Sequence, residues 1–136
     1  MLTIYKLFIR SVLEQSSVVW SSSLTHEQTT SLERVQKVAL RVIFQSSYKS
    51  YDNALKMSNL LRMKERYQNL LLIFAIKCAK NVRTKDMLPM EEPNDRSRFQ
   101  ETYMVPFARK ERFLKSAIPT MARMLNDNKK HQSSTL

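Results

Sequence analysis

The chain has no glycine in its 136 residues, where a share of about 7% is usual. Turns that need a positive backbone dihedral must therefore be made by Asn, Asp or Ser, which carry a Cβ and take that conformation at a cost. Helices joined by short polar loops are the natural outcome. The same absence removes the P-loop and the dinucleotide-binding fingerprint, because both bring backbone so close to phosphate that a side chain would block it. A chain of this length suits one domain able to bury roughly two-thirds of its unfolded surface.

Apolar spacing predicts an all-α fold, a small bundle of about four helices followed by a basic, partly extended C-terminal arm. Tyr5, Phe8, Ile9, Val12 and Leu13 make a helical stripe over about 3–15. Thr25 with Gln28 three positions on fits a capping box, in which the hydroxyl takes the third amide and the Gln side chain returns the bond. It starts a helix over about 26–45. Ser50, followed by Tyr51, Ala54 and Leu55, predicts a short helix ending near Ser58-Asn59. Met63, Tyr67, Leu70, Leu71, Phe74 and Cys78 trace a further helix over about 62–82, apolar all round at its centre and so expected to be buried on several sides. Residues 1–84 read as the helical domain. Residues 85–94, with Pro89, Pro93 and Glu91-Glu92, read as a linker. Residues 95–126 form a basic and aromatic arm in which Pro119 opens a short helix to Leu125, and 127–136 are expected to be a disordered tail.

Charge is the second constraint. Lys and Arg number 23 against 12 Asp and Glu, a net charge of +11 with a pI near 10, which favours polyanionic partners. The excess is spread along the chain, so no detachable tail accounts for it. The lone Cys78, within an apolar helical stretch, reads as a buried, inert thiol and points to a reducing compartment. The N-terminal stripe is interrupted by Lys6 and Arg10 and lacks a signal-peptide core. The longest apolar run, Leu70 to Ile76, is far short of the roughly 20 residues a membrane span needs. An intracellular protein, nuclear or cytoplasmic, is expected.

The inventory for catalysis is poor. His26 and His131 have no Cys or His at ligand spacing, so no zinc site is expected, and His26 reads as an exposed first-turn residue. Glu91-Glu92, between prolines, read as solvated loop charges. Nucleophilic catalysis by Cys78 would need both exposure and a suitable base nearby, and the sequence indicates neither. No cofactor, metal or catalytic residue is expected.

Residues 32–43 carry the most information about binding. Leu32, Val35, Ala39 and Val42 follow the spacing of one helix face, while Arg34, Lys37 and Arg41 repeat that spacing on a neighbouring one. One face can enter a core while the other meets an anion. Glu33 can pair with Lys37 at i,i+4, but at about 0.3–0.5 kcal/mol such a pair does not cancel the excess. Lys6 and Arg10 stand one turn apart on another helix, and Arg109, Lys110 and Arg112 alternate with aromatics in the arm. These eight residues are the candidate phosphate contacts. Tyr103, Phe107 and Phe113 could stack on bases, whereas Trp20, within Val18-Val19-Trp20, reads as core.

The runs Tyr5-Lys6, Phe8-Ile9-Arg10, Leu13-Glu14, Val18-Val19-Trp20, Leu32-Glu33-Arg34-Val35-Gln36-Lys37 and Ala39-Leu40-Arg41 resemble the region after the catalytic palm in reverse transcriptases of non-LTR retrotransposons, jockey-like elements in particular. Shorter matches continue in the same order: Tyr51 with Ala54-Leu55, Leu60 with Met63 and Arg66, Phe107-Ala108-Arg109 with Glu111-Arg112, Ile118-Pro119, and Leu125-Asn126. This chain departs from the family pattern at Gln15-Ser16-Ser17, where an aromatic and a small residue are common, and near Leu61, where proline is. The resemblance implies the thumb and post-thumb part of an RNA-directed DNA polymerase. Such enzymes hold paired metal ions on carboxylates, including an aromatic-x-Asp-Asp turn. Here Asp52, Asp86, Asp95 and Asp127 are all isolated, and Tyr51-Asp52 is followed by Asn53.

The expectation is therefore a non-catalytic fragment that grips the backbone of RNA or DNA, such as a template-primer duplex, without reading sequence. The absent palm is a second partner that the resemblance implies. Two alternatives stand beside it. One is a module that docks on a partner helix, an acidic protein or an anionic membrane; the other is a retroelement remnant with no independent function.

Overall fold

The computed structural model describes residues 1–90 and 102–133. The chain is all-α, and among the described residues the one β feature is an isolated antiparallel bridge between Met90 and Tyr103. In chain order the helices are α1 (Leu2–Ile4), a π-helical segment (Tyr5–Ile9), α2 (Arg10–Glu14), α3 (Ser17–Trp20), α4 (His26–Phe44), α5 (Tyr51–Ser58), α6 (Met63–Lys80), α7 (Glu111–Leu114) and α8 (Ala117–Ser133). They fall into two compact units. The first holds Met1–Ser17 and Leu24–Asn69, and the second Val18–Ser23 and Leu70–Leu136. The division lies inside α6, not near residue 84.

Local chemistry sets the helix limits in the first unit. The Thr25 hydroxyl accepts the Gln28 amide at 3.2 Å and the Gln28 side chain accepts the Thr25 amide at 3.0 Å, so α4 opens on the capping box its sequence predicts. The Ser50 hydroxyl accepts the Asn53 amide at 3.2 Å and starts α5. Asn59 ends α5 in the left-handed region at φ 51°, and the Leu60 amide returns to the Leu55 carbonyl at 3.0 Å. Without glycine, the other positive dihedrals among the described residues fall on Ser16 and on Gln45, the latter outside the Asn, Asp and Ser set that sequence predicts for such positions. Asn59→Ala is expected to cost about 1 kcal/mol and Asn59→Gly to be neutral or stabilising, as read by urea unfolding.

Tyr5, Leu40, Ala54, Leu55 and Leu60 form the core of this unit, with Leu2, Ala39, Ile43 and Tyr48 packed against it. Each large apolar side chain buried here contributes about 1.5–3 kcal/mol. The faces are not those that apolar spacing alone predicts. On α4, Val35 and Val42 are 43% and 61% exposed, while the polar Gln36 is fully buried beside Leu40. On the first helical rod, Tyr5 is buried and Leu13 half-buried, but Phe8, Ile9 and Val12 face outward. The π-helical segment is the local cause: the Arg10 amide donates to the Tyr5 carbonyl, five residues back, which adds a residue to that turn and rotates the next turn of helix relative to it.

In the second unit, Leu71, Ala75 and Cys78 of α6 pack with Leu88 and with Met121, Ala122 and Leu125 of α8, joined by Val18 and Ile118. Cys78 is buried. Ile73 and Phe74 are exposed, so the centre of α6 is not covered on all sides. Leu88 lies in this core, and residues 85–88 are therefore part of the unit rather than a linker. Glu91-Glu92, Pro93, Arg96, Arg98 and Phe99 lie outside the described residues. The stretch 102–110 is without helix, and its Tyr103 and Val105 pack on the core. Helix α8 continues to Ser133, beyond the end expected at Leu125 and through most of the segment whose composition predicts disorder. Asn126, one position past that expected end, is buried and ties the helix to the stretch before it. Its side chain accepts the Tyr103 amide at 3.0 Å and donates to the Tyr103 carbonyl at 2.9 Å, and Lys129 sits over the Tyr103 ring at 5.5 Å.

Candidate nucleic-acid interface

A buried polar network determines which face of α4 meets solvent. The Tyr5 hydroxyl donates to Gln36 Oε1 at 3.0 Å, and Gln36 Nε2 donates to the Tyr51 hydroxyl at 3.1 Å and the Leu61 carbonyl at 3.0 Å. A fully hydrogen-bonded amide can occupy a core that an unpaired one cannot. Tyr51 in turn donates to Glu33 Oε1 through a short hydrogen bond, and Glu33 Oε2 accepts the Met63 amide at 2.8 Å. Met63 opens α6, so Glu33 supplies a carboxylate cap to a helix thirty residues away in sequence.

This inward use of Glu33 leaves Lys37 without the i,i+4 partner that the spacing offers. At about 100° per residue, Arg34, Lys37 and Arg41 fall within about 60° of one another. They point roughly away from Leu32, Gln36, Ala39 and Ile43. All three are exposed. Among the described residues, no carboxylate comes within ion-pair distance of any of them.

The three cations line a single cleft of about 540 Å³, with Tyr48, Tyr51 and Arg62 contributing to the same lining. Arg62 lies over the Tyr51 ring at 5.4 Å and pairs with Asp52. Four cations therefore face a cleft whose one lining carboxylate, Glu33, is committed to Tyr51 and to the start of α6.

The other five candidates fare differently. Arg10 is largely enclosed, at 13% side-chain exposure, and binds Glu14 at 2.6 Å; Glu14 also takes Arg66 at 2.8 and 3.1 Å. Arg10 is thus part of a structural ion triad. Burial alone would raise the Glu14 carboxyl, but the hydrogen bonds from Arg66 and Arg10 outweigh it and hold it below its usual range. Lys6 is exposed on the π-helical segment and is not part of the cleft lining. Arg109, Lys110 and Arg112 are exposed, as are Phe107 and Phe113, and all belong to the second unit. His26 is exposed in the first turn of α4, and Trp20 is half-buried. Reasoning from spacing missed Arg62, Tyr48 and Tyr51, because they reach the cleft through tertiary packing and share no periodicity with α4.

Burial pushes the Tyr5 and Tyr67 hydroxyls up to about 12 from an ordinary 10. The Tyr67 hydroxyl donates to the Leu13 carbonyl at 3.0 Å. Because the folded value lies above the unfolded one, the stabilising contribution is complete below pH 10 and lost as pH rises towards about 12. Alkaline unfolding, followed by circular dichroism alongside tyrosinate absorbance, should fall in that window, and Tyr67→Phe should flatten it. The lowered Glu14 acts on the acid side, where its contribution is lost as pH falls through its depressed value.

Among the described residues, no group of three or more His, Cys, Asp or Glu is placed to hold a metal ion, and no helix is long and apolar enough to cross a membrane. Comparison with models of known protein families, with curated proteins and with solved structures yields no match.

Proposed function

We propose that this protein binds the phosphate backbone of nucleic acid through the α4 cleft, without reading base sequence and without catalysis, as a thumb-like piece of a retrotransposon reverse transcriptase would. The observation that carries the reading is that Arg34, Lys37 and Arg41, which have no acidic partner among the described residues, line one cleft. Exposed cations without acidic partners are free to replace the counterions that phosphates hold, and releasing those ions drives association. The net charge of +11 adds a sequence-independent attraction over the whole chain. No base-reading arrangement is required for either effect.

The test is the salt dependence of binding to mixed-sequence RNA and DNA. Affinity should fall linearly on a logarithmic salt scale, with a slope of roughly −2 to −4 if three or four cations each meet a phosphate. It should also be insensitive to base composition. Binding that ignores salt would refute the reading.

A further inference from the structure

The cleft is concave and partly aromatic, which a surface that only tracks phosphates does not need to be. Resting on the proposed nucleic-acid reading, we infer that it accepts a single strand, one nucleotide at a time, with a base against Tyr48 and the flanking phosphates on Arg34, Lys37 and Arg41. Its volume of about 540 Å³ falls within the range of about 300–1,000 Å³ typical of pockets for small ligands. A rigid double helix offers its phosphates on a convex cylinder and keeps its bases stacked inside. An unpaired strand can lower one base into such a space and keep its phosphates at the rim.

Tyr48 is the aromatic suited to this role. The Tyr51 hydroxyl is held by Gln36 and Glu33, and its ring is covered by Arg62. Tyr48 sits in extended backbone between a 3₁₀ turn (Gln45–Ser47) and the Ser50 cap, half-buried against the core, and lines the cleft. Among the described residues its hydroxyl has no hydrogen-bond partner. The packing leaves it little side-chain freedom to lose when a base stacks on it.

Arg62 is the fourth cation of the cleft, and it is paired with Asp52. An incoming phosphate competes with Asp52, whose charge therefore opposes binding. Asp52→Asn should tighten binding, a gain that misfolding cannot mimic.

The experiment measures fluorescence anisotropy of the full chain with labelled oligouridylate, and with an RNA duplex of equal phosphate number, at one salt concentration. The single strand is expected to bind about tenfold more tightly. Tyr48→Leu should remove about tenfold of that affinity while leaving the salt slope of single-strand binding in place, and Asp52→Asn should strengthen single-strand binding about two- to fivefold. Equal or tighter binding of the duplex, or no response to Asp52→Asn, overturns this inference while the backbone reading stands. Failure of both nucleic acids to bind overturns both. If Tyr48→Leu does not fold, the strand preference and Asp52→Asn still decide.

Discussion

Replacing Arg34, Lys37 and Arg41 together by glutamate is expected to lower affinity for RNA by roughly a hundredfold or more near 0.1 M salt and to flatten the salt slope by roughly 2 to 3 units. The size comes from counterion release. Each cation that meets a phosphate contributes about 0.7–0.9 to the slope, and reversal adds repulsion where attraction stood. The three side chains are exposed and make no ion pair with any described residue, so the substitutions break no structural contact. Circular dichroism and urea unfolding should therefore match the parent chain. Reversing Arg109, Lys110 and Arg112 supplies the comparison, since it changes net charge equally in the other unit. If overall charge alone governed binding, the two triple variants would lose affinity equally. Binding at the cleft makes the loss on α4 the larger one.

Gln36→Leu is expected to destabilise the protein by about 2–4 kcal/mol, more than a typical single substitution. Leucine has a similar volume, so the cost does not come from a cavity. It comes chiefly from the buried Tyr5 hydroxyl, which loses its acceptor, with a smaller part from the carbonyl of the exposed Leu61, which loses its donor. Each buried polar group left unpaired costs about 1–3 kcal/mol. Tyr51 keeps Glu33 and is less affected. Tyr5→Phe in the Gln36→Leu background should then recover about 1 kcal/mol, because it deletes one orphan. A double-mutant cycle in urea reads that sign directly. Additive losses would mean that Tyr5 and Gln36 are not coupled. Because the network also sets the rotation of α4, Gln36→Leu should weaken nucleic-acid binding without touching a cation.

Caps and charge faces are short-range features, and they are legible in the sequence. Thr25 with Gln28, Ser50 before Asn53, and the Ser58-Asn59 stop each act within a few residues, so the helix limits in the first unit can be read without the fold. The spacing of Arg34, Lys37 and Arg41 fixes their common side on any helix, whatever that helix packs against. Burial is a different matter. Apolar spacing favours Val35 and Val42 for the core, but Gln36 wins because Tyr5 and Leu61, far off in sequence, satisfy it. The π-helical turn that exposes Phe8 and Val12 leaves no composition signal. Helix α8 runs past Leu125, and Asn126, the next residue, holds the Tyr103 backbone, a contact across 23 positions that composition does not reveal. The cleft is half legible: its cationic α4 side comes from periodicity, and Tyr48, Tyr51 and Arg62 come only with the fold.

The most direct test of the cleft is a residue-by-residue map of where nucleic acid touches the full chain, obtained by titrating oligouridylate into isotope-labelled protein and tracking amide and arginine side-chain resonances. Signals of Arg34, Lys37, Arg41, Tyr48 and Arg62 are expected to move first and furthest, and to saturate with the affinity seen by anisotropy. Binding that saturates while those five residues keep their free-state resonances would contradict a nucleic-acid site on α4.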